Sequence, residues 1–135
     1  TLLSPVVPEP IIACWFLEGQ NWNPAKAAVH YEKSMAWRKV EGVDMLLSKS
    51  APTDSAVEAV LNEVFALRLC DGHDRLGRPI LYVPYGGLDL PTLAKRGVTP
   101  QHLLRRYVRE MEKLRVALRA APNPLAGHLQ IADVH

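Results

Sequence analysis

Val64-Phe-Ala-Leu-Arg-Leu-Cys-Asp-Gly-His-Asp-Arg-Leu-Gly-Arg-Pro-Ile-Leu-Tyr-Val-Pro-Tyr85 is the stretch whose reading decides the fold. From Val64 to Cys70 the side chains alternate, with Phe65, Leu67 and Leu69 on one face and Ala66, Arg68 and Cys70 on the other. Pro79–Tyr85 is a second β-rich run through Ile80, Leu81, Tyr82 and Val83. The polar, glycine-bearing link Asp71–Arg78 between two such runs predicts an antiparallel hairpin, with Gly72 and Gly77 at turn positions.

Working outward, Thr99–Pro100 places an N-cap residue before a proline at the first helical position, where its missing N–H costs nothing. This opens the longest predicted helix, to about Ala121. Helical spacing gathers Leu103, Leu104, Tyr107, Val108, Met111, Leu114 and Leu118 into one apolar arc. Arg105, Arg106, Arg109 and Lys113 fall in a separate basic arc, read as an outer face. Pro122-Asn-Pro124 stops the helix, and His128–Val134 returns as a strand. Upstream, Ile11–Leu17 is a short apolar helix closed by Gly19. Asn23–Pro24 repeats the cap-plus-proline signal for a helix to Val40, with Ala28, Tyr31, Met35 and Trp37 as its apolar side. Pro5, Pro8 and Pro10 mark an extended lead-in, and Ser48–Ser55 is a polar connector. A short helix starts at Thr53 or Asp54. The expected architecture is α/β: a helical N-terminal subdomain over residues 1–50, then the first part of a mixed sheet flanked by helices over residues 51–135.

Composition bounds the function. With 135 residues, 48% apolar and 22% charged, the chain has ordinary globular usage. No apolar run approaches the ~18 residues that suggest a membrane span. Lys and Arg number 6 against 8 Asp and Glu in residues 1–70, and 10 against 6 in residues 71–135. The formal charge of +2 is too small for a nucleic-acid footprint, and no aromatic residues interleave with the basic arc for base stacking. Two cysteines, Cys14 and Cys70, are too few for a disulfide scaffold or a thiolate zinc site and read as reduced thiols. The start at Thr1 has no signal-peptide layout, and the stop at His135 after a strand-like run reads as a cut from something longer.

No constellation supports an enzyme. Asp71, His73 and Asp74 at the hairpin tip lack the alternating oxygen ligands and distal Glu of a calcium loop, so they read as turn formers rather than a metal site. Gly86-Gly87 follows a strand without a phosphate-binding spacing and reads as a turn. There is no Gly-x-Ser-x-Gly elbow. Cys14 lies beside Trp15 and Phe16, surroundings that keep a thiol inert. His30, His102 and His128 are scattered singly, as surface or capping residues. No cofactor is implied. The basic arc is left with two readings: a solvated face opposite the core, or attraction to an anionic membrane.

The order Trp15-Phe-Leu17, Trp22-Asn-Pro-Ala-Lys-Ala27, Met35-Ala-Trp-Arg38 and Gly42-Val-Asp44 resembles the helical N-terminal part of the CRAL-TRIO lipid-binding proteins. Gly72-His-Asp-Arg-Leu-Gly-Arg-Pro-Ile80 is similar to that family's Gly-x-Asp-x-x-Gly-Arg-Pro hairpin. Leu103–Glu112 is similar to the helix that follows, and Gln130-Ile-Ala-Asp-Val134 to its apolar strand ending in Asp. The first helix departs from the family, with Cys14-Trp15 and Glu18-Gly-Gln20 where basic residues are common. The resemblance implies a cytoplasmic monomer that binds a hydrophobic lipid of the phosphatidylinositol or phosphatidylcholine class and exchanges it at membranes. In that family the sheet floors an apolar pocket gated by a mobile helix. The implied pocket lining is Ile80, Tyr82, Leu103, Leu104, Tyr107, Met111 and Ile131. The implied membrane-facing residues are Arg105, Arg106, Arg109 and Lys113. The remaining strands, the gate helix and most head-group contacts would lie beyond His135. The alternative is a regulatory interaction module of a larger signalling or trafficking protein that keeps the fold without lipid transfer.

Overall fold

A computed structural model describes residues 8–48 and 53–135. The chain forms two compact units, one ending at Gly42 and the other running from Val43 to His135. The division falls earlier than the Ser48–Ser55 connector, of which residues 49–52 lie outside the described residues, as do residues 1–7 of the lead-in. The reason is hydrophobic. Val43 and Leu46 are buried, and the 3-10 turn Val43–Met45 packs against the long helix of the second unit.

The first unit is a helix pair, α1 (Pro10–Gly19) and α2 (Pro24–Val40). The Asn23 side chain accepts the Lys26 N–H at 3.0 Å, and Pro24 occupies the first turn, as the cap-plus-proline signal predicts. Phe16 of α1 meets His30 and Tyr31 of α2 edge-on, with ring centroids 5.6 and 5.2 Å apart. Ala27 is the buried residue of α2, while Ala28 and Trp37 are exposed. The inner face is therefore the line Ala27, Tyr31 and Met35, set by the steps of four that lead from the small residue at the close approach.

In the second unit, α3 (Ser55–Val64) is capped by Asp54, whose carboxylate accepts the N–H groups of Ala56 and Val57 at 3.0 and 3.1 Å. Strands β1 (Arg68–His73), β2 (Pro79–Pro84) and β3 (Leu129–Asp133) form one sheet in the order β1-β2-β3. The first pair is antiparallel, with Arg68 opposite Tyr82; the second is parallel, with Tyr82 opposite Ile131. A parallel neighbour requires a crossover, supplied by α4 (Leu90–Lys95) and α5 (Pro100–Ala120). Thr99 and His102 close a capping box at the start of α5, which gives His102 the capping role read for it. The sequence reading contained no α4. Its six residues are too few for periodicity, although Asp89 and Pro91 repeat the start signal and Asp89 accepts the Thr92 N–H at 3.0 Å. Strand β1 begins later than expected because Phe65 ends α3 and Leu67 N–H turns back to the Phe65 carbonyl at 2.8 Å.

One core cluster joins Phe65, Leu67, Leu81, Val83 and Leu114, flanked by Leu69, Leu103, Met111 and Leu118. A second joins Leu61, Leu93 and Val98. Helix α5 thus covers the face of β1 and β2 that carries Leu69, Leu81 and Val83.

The hairpin tip is a turn organised by Asp74. Its carboxylate accepts the N–H groups of Leu76 and Arg78 at 2.9 and 2.8 Å and the Arg78 guanidinium at 2.7 Å. Donation by the Arg78 backbone, against a smaller opposing cost of burial, holds the Asp74 carboxyl below its usual range. Gly72 and Gly77 have φ of +91° and +74°, and a Cβ on Gly77 would meet the Pro122 ring at 3.2 Å. Gly77→Val is therefore strained both by its backbone and by Pro122. We expect a loss of about 1–3 kcal/mol in urea unfolding, and an unchanged midpoint would refute the turn geometry.

Candidate functional site

The basic arc of α5 forms an outer face only in part. Arg106 is only 9% exposed and Glu110 only 1%. The Arg106 guanidinium donates to the Leu67 carbonyl at 3.1 Å, to Asn62 Oδ1 at 3.0 Å and to the Glu58 carboxylate. Arg109 donates to the other oxygen of Glu58 at 2.9 Å. Glu110 accepts the Leu69 N–H at 3.0 Å and the Lys113 ammonium at 2.7 Å, with Arg106 Nε 3.8 Å away. Of the four residues expected to face a membrane, Arg105 and Lys113 are exposed, Arg109 is half-buried and Arg106 is enclosed.

The cause lies in the sheet. β1 is an edge strand, so backbone groups on its outer side have no strand to pair with. Buried backbone groups left unpaired are costly, and Arg106 and Glu110, one helical turn apart, take the places of a neighbouring strand. One satisfies the Leu67 carbonyl and the other the Leu69 amide. Glu58 then holds Arg106 and Arg109 together from α3. The charged side chains thus close a sheet edge and tie α5 to α3.

The other face of the sheet is open. Ile80 lies opposite Leu129 and Tyr82 opposite Ile131, and strand alternation directs these four away from the Leu81 and Val83 core. All four retain solvent exposure, Leu129 and Ile131 the most. At one side of the patch the Arg68 guanidinium lies 4.9 Å from the Tyr82 ring centroid. The Tyr82 hydroxyl donates to Asp133 Oδ2 at 2.9 Å. That accepting carboxylate, helped by burial, holds the Tyr82 proton and raises its pKa above the ordinary 10.0. The arrangement is an apolar plane bordered by a polar edge.

The expected pocket lining is therefore divided. Ile80, Tyr82 and Ile131 share the open face. Leu103 and Met111 pack into the core on the covered face. Leu104 and Tyr107 of α5 are 53% and 46% exposed, away from both. The apolar arc is narrower than helical spacing predicts: charged Arg106 and Glu110 occupy part of the covered face, and Leu104 and Tyr107 turn towards solvent. Met111→Asp should accordingly unfold or severely destabilise the chain, since it drives an unpaired carboxylate into the core cluster. Leu104→Asp should cost no more than a surface substitution does, about 0.5 kcal/mol, and so move the melting temperature little. Equal damage by both, read by thermal circular dichroism, would contradict the orientation of α5.

Cys14 and Cys70 are free, half-buried thiols. No group of His, Cys, Asp or Glu among the described residues is arranged to hold a metal ion. No helix among them is long and apolar enough to cross a membrane. No protein-family model matches the chain, and no curated protein matches its sequence.

Proposed function

We propose that the chain binds a hydrophobic lipid without catalysis, in the manner of the CRAL-TRIO proteins its hairpin and helices resemble, and serves lipid exchange between membranes. The observation that carries this reading is the open sheet face. Ile80, Tyr82, Leu129 and Ile131 form an apolar patch that the helices of the second unit leave uncovered, bordered by Arg68 and Asp133. Ligand sites pair an apolar lining with a few polar groups that fix orientation. Acyl chains would lie on the aliphatic residues, and the polar edge would face the head group. A phospholipid of the phosphatidylinositol or phosphatidylcholine class has both parts.

A second reading, an interaction module within a larger protein, draws support from β3. Its outer edge pairs with no described strand, and most of its side chains are exposed. The two readings part on one titration. A fluorescent phosphatidylcholine analogue should bind the wild-type chain saturably. Ile131→Asp, placed on an already exposed position, should weaken binding by about tenfold or more while preserving the circular dichroism spectrum. Equal binding by variant and wild type, or no binding at all, would overturn the lipid reading.

A further inference from the structure

A second surface that is both basic and apolar lies in the first unit. Along α2, Lys26, Val29, His30, Lys33, Trp37 and Val40 recur at helical spacing and so share one face. All six are exposed. This face lies opposite the Ala27, Tyr31 and Met35 line. It is apolar and basic together, which the outer face of an ordinary surface helix is not. Val40 is 82% exposed, and Trp22, at the same end of α2 as Lys26, is 63% exposed. Asn21 and Trp22 adopt left-handed backbone with φ of +52° and +59°, uncommon for a bulky residue, and the indole remains in solvent.

Between the end of α1 and the first turns of α2 runs an open groove of about 450 Å³, lined by Gln20, Ala25, Lys26, Val29, His30 and Lys33. Two ammonium groups and an imidazole border it, and no carboxylate does. Neither Lys26 nor Lys33 has an ion-pair partner among the described residues, in contrast to Arg106, Arg109 and Lys113. The only acid of α2, Glu32, borders the face beyond Val29, and Lys26 and Lys33 outnumber it there. We propose that this face of α2, with Trp22, docks on anionic membrane surfaces. Lys26 and Lys33 meet lipid phosphates at the groove, and Trp22, Val29, Trp37 and Val40 enter the interfacial layer. Charge complementarity chooses the occupant: unpaired cations attract an anionic leaflet, and indole rings favour the boundary between head groups and acyl chains. The inference goes beyond the lipid-holding role, because the sheet face could hold a lipid without this surface and this surface could dock without a held lipid.

The test is co-sedimentation of the full chain with vesicles. Wild type should bind vesicles of roughly three parts phosphatidylcholine to one part phosphatidylserine far better than pure phosphatidylcholine. Raising salt from about 0.01 M to about 0.15 M should weaken that binding, because the screening length falls from roughly 30 Å to roughly 8 Å. Lys26→Glu with Lys33→Glu should lower partitioning by about tenfold or more, and Trp22→Ala should lower it and reduce the blue shift of tryptophan emission. The reversal is compatible with folding: both side chains are exposed, and an acid in the first turn of a helix is favourable. Unchanged helicity and retained binding of the fluorescent phosphatidylcholine analogue would show that the loss is confined to docking. Competition by millimolar inorganic phosphate that abolishes sedimentation would identify a soluble phosphate site and overturn the docking role. So would equal binding to neutral and anionic vesicles, or equal binding by wild type and the double reversal.

Discussion

Glu110→Ala is expected to destabilise the second unit by about 3–5 kcal/mol, the range found when one partner of a buried ionic network is removed. The substitution leaves the Leu69 N–H without an acceptor and takes a carboxylate from Lys113 and from the neighbourhood of Arg106. Glu110→Gln retains an oxygen for Leu69 but places an amide beside two cations, so it should cost less than the alanine variant. Chemical denaturation followed by circular dichroism separates these. The predicted order of midpoints is wild type, Gln, Ala, and equal midpoints for all three would show that β1 has no need of Glu110. Glu58→Ala is a companion: it takes one carboxylate from both Arg106 and Arg109, and its cost should not add to that of Glu110→Ala, since the two share Arg106.

Leu81→Ala against Ile131→Ala measures which face of the sheet is covered. Leu81 is fully buried in the cluster with Leu67, Val83 and Leu114. Its truncation should cost about 2–5 kcal/mol, from lost transfer energy and from the cavity left beneath α5. Ile131 is on β3, beyond the reach of α5 in the core cluster and half exposed, so its truncation should cost less than about 1 kcal/mol. A large cost at Ile131 in the isolated chain would mean that the open face is packed, and the lipid reading would lose its supporting observation.

Much of the fold is legible because local chemistry announces it. Asn23–Pro24 and Thr99–Pro100 both open helices where the sequence places them. Asp74 and Gly77 build the hairpin turn from side chain and backbone freedom, whereas Gly72, expected at a turn position, lies within β1 where its register with β2 shifts. What escaped the reading depends on partners remote in sequence. A helical projection sends Arg106 outward because charge prefers water, and it gives Glu110 no place. Only the unpaired outer edge of β1, some forty residues earlier, gives them a reason to turn inward. A signal was present all the same. Leu103, Arg106, Glu110 and Leu114 lie on a single line of the helix, so an oppositely charged pair one turn apart is flanked by two core leucines. Such a pair is a candidate for a satisfied buried network. In α2 the same projection placed Trp37 inward, whereas the close approach at Ala27 selects the face one step around. The candidate site was half visible: Ile80, Tyr82 and Ile131 follow from strand alternation, but the residues chosen from α5 required knowing which side of the sheet the helix covers.

Mass spectrometry of the purified chain under native conditions, followed by organic extraction, tests the lipid-binding reading most directly. The account predicts a co-purifying phospholipid carried in saturable proportion to protein, lost in Ile131→Asp and retained in the Lys26→Glu, Lys33→Glu double variant. Protein that carries no lipid, and takes none up after incubation with phosphatidylcholine and phosphatidylinositol vesicles, would contradict it.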